Sequence, residues 1–60
     1  MIHSVGYDSV RMLLEIEFTS GKTYLYKNVP EHVYRELMSA DSKGHYFERQ
    51  INRKYTYRQI

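Results

Sequence analysis

Two tyrosines separated by one residue, Tyr24 and Tyr26, are the side chains of this sequence best suited to holding a flat ligand. On a strand, alternate residues share one face about 7 Å apart, a spacing at which successive nucleobases or the two rings of a dinucleotide stack. The same rings could pack at the edge of a core, and tyrosine serves both ends, with a buried ring and an exposed hydroxyl. A second group, Asp41-Ser42-Lys43-Gly44, reads as a loop entering a helix. Ser42 suits the N-cap, and Gly44 allows close backbone approach or supplies unusual turn angles. The first amides of the helix form a positive pole for phosphate or carboxylate, with Lys43 beside it; an ordinary helix–helix turn would look the same. Further on, Arg49 and Arg53 sit one helical turn apart, off the apolar stripe, so both guanidinium groups could reach one anion, bidentate to a phosphate or stacked on a base. Lys54 and Arg58 would extend that surface, and Tyr55 and Tyr57 would add stacking or close the core. A solvated helix face is the competing reading.

Catalysis and metal binding have weaker support. His3, His32 and His45 lie far apart, without the spacing of paired ligands on a helix, and there is no cysteine to complete a zinc site. Asp41, Ser42 and His45 crowd one short loop, where the ordered geometry of a nucleophile, base and orienting acid is not expected. The expectation is a non-enzymatic protein with no catalytic residue, no metal and no cofactor.

The elements that must position these groups follow from patterning. Sixty residues make one domain, 1–60, in which a small core and the absence of disulfides make self-association an expected source of stability. Hydrophobic residues at 42% and charged residues at 27% describe a chain that folds. No apolar run is long enough for a membrane span and the start lacks a signal-peptide pattern, so a soluble, cytoplasmic protein without membrane contact is expected. Charge is uneven: from residue 43 onward Lys43, Arg49, Arg53, Lys54 and Arg58 face Glu48 alone, a local net charge of +4 within a chain of formal charge +2. That favours an anionic partner at the C-terminal end.

Between Ser4 and Lys27, Val5, Tyr7, Val10 and the run Met12 to Phe18 read as strands, with a break at Asp8-Ser9 and another at Thr19-Ser20-Gly21. The second turn decides where the tyrosines point. A two-residue Ser20-Gly21 turn pairs Glu17 with Tyr24 and sends both tyrosines to the polar face. A three-residue Thr19-Ser20-Gly21 loop, with Gly21 left-handed, pairs Ile16 with Tyr24 and Leu14 with Tyr26 and sends them to the core; Ser20 fits the longer loop better. A helix then starts with Pro30 at its first position and runs to about Ala40, with Val33, Leu37 and Ala40 inward and Tyr34 and Met38 beside them. Phe47, Ile51 and Tyr55 recur every fourth residue and mark a second helix. The fold class is α+β: a three-stranded antiparallel β-meander with two helices packed on one face, β-β-β-α-α.

The pattern Leu14-x-Ile16-x-Phe18-x-x-Gly21-x-x-Tyr24-x-Tyr26-x-x-Val29-Pro30, continued by Tyr34, Leu37 and the stretch Ala40-x-Ser42-x-Gly44-x-Tyr46-Phe47 with Ile51 and Tyr55, closely resembles the KTSC domain. That family is named for a C-terminal appendage of some lysyl-tRNA synthetases and also occurs as small free-standing proteins of bacteria and phages. The resemblance covers nearly the whole chain, adds Tyr46 to the candidate residues, and implies a fold more clearly than a function; RNA binding is suggested by the synthetase context. These sixty residues contain no synthetase body, so tRNA delivery to a catalytic domain within them is not expected.

The functional expectation is a homo-oligomer that binds nucleotide-like anions and sequesters small, including cyclic, nucleotides, enclosed between subunits. A phage-encoded version would be similar to compact sponge proteins that sequester nucleotide immune signals, in the cytosol of the infected host; otherwise the bacterial cytosol is expected. The alternatives are an RNA-binding accessory module and a protein–protein interaction module. The expected ligand-binding residues are Tyr24, Tyr26, Ser42, Lys43, Gly44, Tyr46, Arg49, Arg53 and Tyr55.

Overall fold

The alternating apolar and polar residues of the first half form three antiparallel strands in the computed structural model, which describes residues 1–60: β1 Ile2–Asp8, β2 Leu13–Phe18 and β3 Thr23–Tyr26. Asp8 closes β1 by turning its carboxylate onto the chain, where Oδ1 accepts from the Val10 and Arg11 amides at 3.0 and 3.1 Å. Val10 and Met12, read as strand residues, lie in this turn instead, and Met12 ends it in a left-handed conformation, φ 57°.

The β2–β3 connection is the three-residue loop. Phe18 donates its amide to the Lys22 carbonyl at 2.9 Å, Gly21 donates to the Phe18 carbonyl at 2.9 Å, and Gly21 has φ 94°. Ile16 therefore faces Tyr24 and Leu14 faces Tyr26, so both tyrosines turn inward.

The chain then crosses to two helices, α1 Glu31–Ser39 and α2 Lys43–Gln50. Pro30 is the N-cap of α1 rather than its first helical residue; its φ of −67° fits either position, but ψ of 154° is extended. Val33 and Leu37 are the buried residues of α1, whereas Met38 stays 41% exposed. Ser42 caps α2 as expected, its Oγ accepting the His45 amide at 3.2 Å. Lys43 and Gly44, read as loop, are the first two helical residues, and Gly44 does not take a positive φ.

The sheet has four strands, not three. α2 stops at Gln50, because the Ile51 and Asn52 amides both go to the Phe47 carbonyl, at 3.0 and 2.8 Å, and Arg53 turns left-handed at φ 68°. The four-residue recurrence of Phe47, Ile51 and Tyr55 thus spans helix, cap and turn, and Tyr55 lies beyond the helix while still packing on the core. The reversed chain forms β4, Tyr57–Gln59, which pairs antiparallel with the free edge of β3 and gives the order β1-β2-β3-β4. Arg58 is consequently a strand residue opposite Leu25, not part of a basic helix.

Eight residues are buried: Leu14, Ile16 and Tyr26 from the sheet, Val29 from the crossing, Val33 and Leu37 from α1, Phe47 in α2 and Ile51 at its end. Tyr7 fastens the crossing to the sheet, donating its hydroxyl to the Val29 carbonyl at 2.6 Å and stacking on Tyr34 with ring centroids 4.9 Å apart.

Two outcomes are expected in urea unfolding followed by circular dichroism. Tyr26→Ala should lose about 3–5 kcal/mol, the usual cost of emptying a buried aromatic position, with Tyr24→Ala losing less because its ring is half-buried. Arg53→Gly should gain about 1 kcal/mol by removing the left-handed penalty of a residue with a Cβ.

Candidate functional site

Tyrosines turned inward near the sheet's end meet the aromatic residues that the neighbouring elements bring. Tyr24 and Tyr26 from β3, Phe18 from β2, Tyr57 from β4 and Phe47 from α2 form a closed ring of five contacts. Phe18 touches Tyr24 at 5.7 Å between centroids and Phe47 at 5.4 Å; Tyr57 touches Tyr24 at 5.6 Å and Tyr26 at 5.5 Å; Tyr26 closes on Phe47 at 5.6 Å. Four of these five contacts are edge-to-face, the arrangement that the ring quadrupole favours.

The five rings line an open cleft of about 400 Å³, whose polar rim includes Lys22, Glu48 and Asn52. Tyr26 and Phe47 are buried at its base, and Tyr57, 54% exposed, forms an accessible wall. Glu48 is oriented by Asn52, whose Nδ2 donates to Oε1 at 2.9 Å. A flat aromatic ligand finds ring faces and edges here, a carboxylate that accepts from an amino group, and one lysine.

Beside the cleft lies a shallow depression of about 660 Å³ at the start of α2, lined by Asp41, Ser42, Lys43, Gly44 and His45. Met1 and Glu48 border both hollows, so they are contiguous. The amides of Lys43 and Gly44, at the first two helical positions, have no acceptor within the helix.

The nine residues expected to bind a ligand therefore divide. Tyr24 and Tyr26 line the cleft, and Ser42, Lys43 and Gly44 line the adjoining depression. Tyr46 ties the helices together, its hydroxyl donating to Glu36 Oε1 at 2.6 Å. Tyr55 packs half-buried against the core. Arg49 is exposed on α2 and Arg53 on the turn after it, so the one-turn spacing is not realised and neither lines a hollow. Reasoning on the sequence missed Phe18, Phe47, Lys22, Glu48 and Asn52 as lining residues and left Tyr57 ambiguous. The usable signal was Tyr55-Thr56-Tyr57-Arg58-Gln59, which alternates in the manner of Thr23 to Tyr26.

Comparison with known proteins agrees with this architecture. The family signature described as KTSC domain matches residues 1–55. A crystal structure of a KTSC domain protein from Yersinia pestis superposes with a TM-score of 0.96 at 44% identity, covering 98% of this chain and 83% of that one. An uncharacterized protein of Stutzerimonas stutzeri is 46% identical over 46 residues, 77% of this chain and 65% of its own length. A lysine–tRNA ligase of Trichormus variabilis is 44% identical over 59 residues, which are 98% of this chain and only 10% of the ligase.

Three tyrosines titrate high: burial, with Glu31 and Asp8 nearby, raises Tyr7, and Tyr26 and Tyr46 are raised further. Burial, helped by the neighbouring Tyr57, Tyr24 and Glu48, pushes the Tyr26 hydroxyl from 10.0 up to about 12. Burial and the hydrogen bond to Glu36 push Tyr46 likewise from 10.0 to about 12. Both remain neutral donors throughout the physiological range. Because the folded values lie above the unfolded one, the associated stability is complete below pH 10.0 and is lost as pH rises toward about 12. Alkaline melts followed by tyrosinate absorbance should show unfolding confined to that window, and Tyr46→Phe should reduce the slope within it.

Proposed function

The chain belongs to the KTSC domain family, and on that premise we propose that it is a non-enzymatic protein that binds nucleotide-like anions, self-associates, and sequesters small nucleotides, cyclic ones included. The observation that carries this reading is the ring of five aromatic side chains around an open cleft of about 400 Å³. That volume lies toward the small end of ligand sites, which span about 300–1,000 Å³. In this reading a base lies against Tyr57 and Tyr24, and Glu48 accepts from its exocyclic amino group, favouring adenine, guanine or cytosine over uracil. The phosphate reaches Lys43 and the first amides of α2 in the adjoining depression.

A second reading, RNA binding, is favoured by the exposed Arg49, Arg53 and Lys54 and by the 98% coverage of this chain by a segment of a lysine–tRNA ligase. The two readings separate on ligand length. Titration calorimetry with adenosine monophosphate, cyclic dinucleotides and short RNAs supplies the test. Sequestration of small nucleotides expects Tyr57→Ala to weaken mononucleotide binding by about 1–3 kcal/mol, the usual worth of one stacked base. Lys43→Ala should weaken it by about tenfold, or 1.4 kcal/mol. Arg49→Ala and Arg53→Ala should have little effect on a mononucleotide. Binding confined to RNA, with a salt dependence that steepens with length and falls in the arginine variants, supports the second reading. A parent protein that binds none of these ligands overturns both.

A further inference from the structure

Both helices pack on one side of the sheet, which leaves the other side bare. Across its middle runs one row of paired residues, Gly6 on β1, Glu15 on β2, Leu25 on β3 and Arg58 on β4. The side chains of Glu15, Leu25 and Arg58 point away from the helices, since the residues alternating with them, such as Leu14, Ile16, Tyr24 and Tyr26, point toward the core. The row borders a shallow hollow of about 420 Å³, with Leu13, Leu25 and Ile60 as its aliphatic residues; Ile60 is 55% exposed.

Charge on this face is segregated. Asp8, Glu15 and Glu17 occupy the β1–β2 half, and Arg58 lies across Leu25 on β4. Glu15 and Arg58 are separated by the whole of β3, about 9.6 Å at the usual strand spacing, and neither takes part in the two ion pairs of the molecule, Arg11–Asp8 and Arg35–Glu31.

We propose that this face is the interface through which two copies of the chain associate. A two-fold axis running along the strands beneath Leu25 brings Leu25 onto its counterpart. The same operation places Glu15 of each copy opposite Arg58 of the other, so one apolar contact is flanked by two identical ion pairs. Such self-complementarity is the signature of an isologous dimer, and face-to-face packing of sheets through their aliphatic residues is an established arrangement. Four strands of this length offer roughly 400 Å², half of the about 800 Å² per partner found in standard interfaces. The association is accordingly weak, with dissociation in the micromolar range. The aromatic cleft lies on the helix side, so each copy keeps its own ligand site and none is enclosed between the two. This inference rests on the self-association part of the functional reading and is independent of which ligand the cleft takes.

Sedimentation equilibrium on the ligand-free protein decides it. The parent should show a species of twice the 7.3 kDa chain mass. Glu15→Arg places two arginines face to face and Arg58→Glu two glutamates, so each variant alone should dissociate at least tenfold more readily while keeping the parent's circular dichroism. An equimolar mixture of the two variants should restore the dimer, because each contact between positions 15 and 58 then joins unlike charges, and the double variant Glu15→Arg/Arg58→Glu should do the same. A parent dimer that both single variants leave intact, or a mixture that stays monomeric, overturns this interface without touching self-association through another face. A parent that remains at 7.3 kDa through the micromolar range overturns both. Neither result bears on nucleotide binding, which is read separately by calorimetry.

Discussion

The register between β2 and β3 is the constraint on which the rest of the molecule depends. Gly21 holds a φ of 94° that a residue with a Cβ adopts only under strain, and this lets the loop close over three residues. A slip of one residue would exchange the faces of the entire strand. Tyr24 and Tyr26 would leave the core, Leu25 would enter it, and neither the aromatic ring nor the bare charged face would exist. One glycine thus decides which side of the sheet is aromatic and which carries Glu15 and Leu25.

The aromatic ring follows from that register and in turn binds four elements together. With only eight buried residues the core is small, and large rings compensate by joining β2, β3, β4 and α2 through few side chains. β4 is three residues long and none of them is buried, so its attachment relies on backbone pairing with β3 and on the contacts of Tyr57 with Tyr24 and Tyr26. The same ring is a structural fastener and the wall of a cleft. This dual use sets the limit on what its members tolerate: Tyr26, buried, belongs mostly to stability, and Tyr57, exposed, is free to meet a ligand.

Basic residues near the C-terminus do not collect into one site. Lys43 stands at the start of α2, Arg49 on its exposed side, Arg53 on a left-handed turn and Arg58 on the far face of the sheet. A net charge summed over consecutive residues described a field, whereas a site needs side chains that converge. The turn after Gln50 disperses them, since two amides captured by the Phe47 carbonyl end the helix before Arg53 is reached.

Patterning and turn chemistry by themselves determined the three N-terminal strands, the cap at Ser42 and the existence of both helices, and favoured the inward tyrosines over the outward ones, because each depends on residues within a few positions of one another. The alternation of Leu14 and Ile16, the left-handed tolerance of Gly21 and the hydroxyl of Ser42 act locally and leave local signals. Only the tertiary structure decided the fourth strand, the aromatic ring and the separation of the arginines. β4 forms because the edge of β3 lies open some thirty residues earlier in the chain, and its pairing is invisible to any short window. Phe18, Phe47 and Tyr57 converge on the cleft from three elements whose contact is made by packing alone. The end of α2 could be read either way, for Phe47, Ile51 and Tyr55 all meet the core whether the chain continues as a helix or turns back, and only the hydrogen bonds at the Phe47 carbonyl distinguish the two.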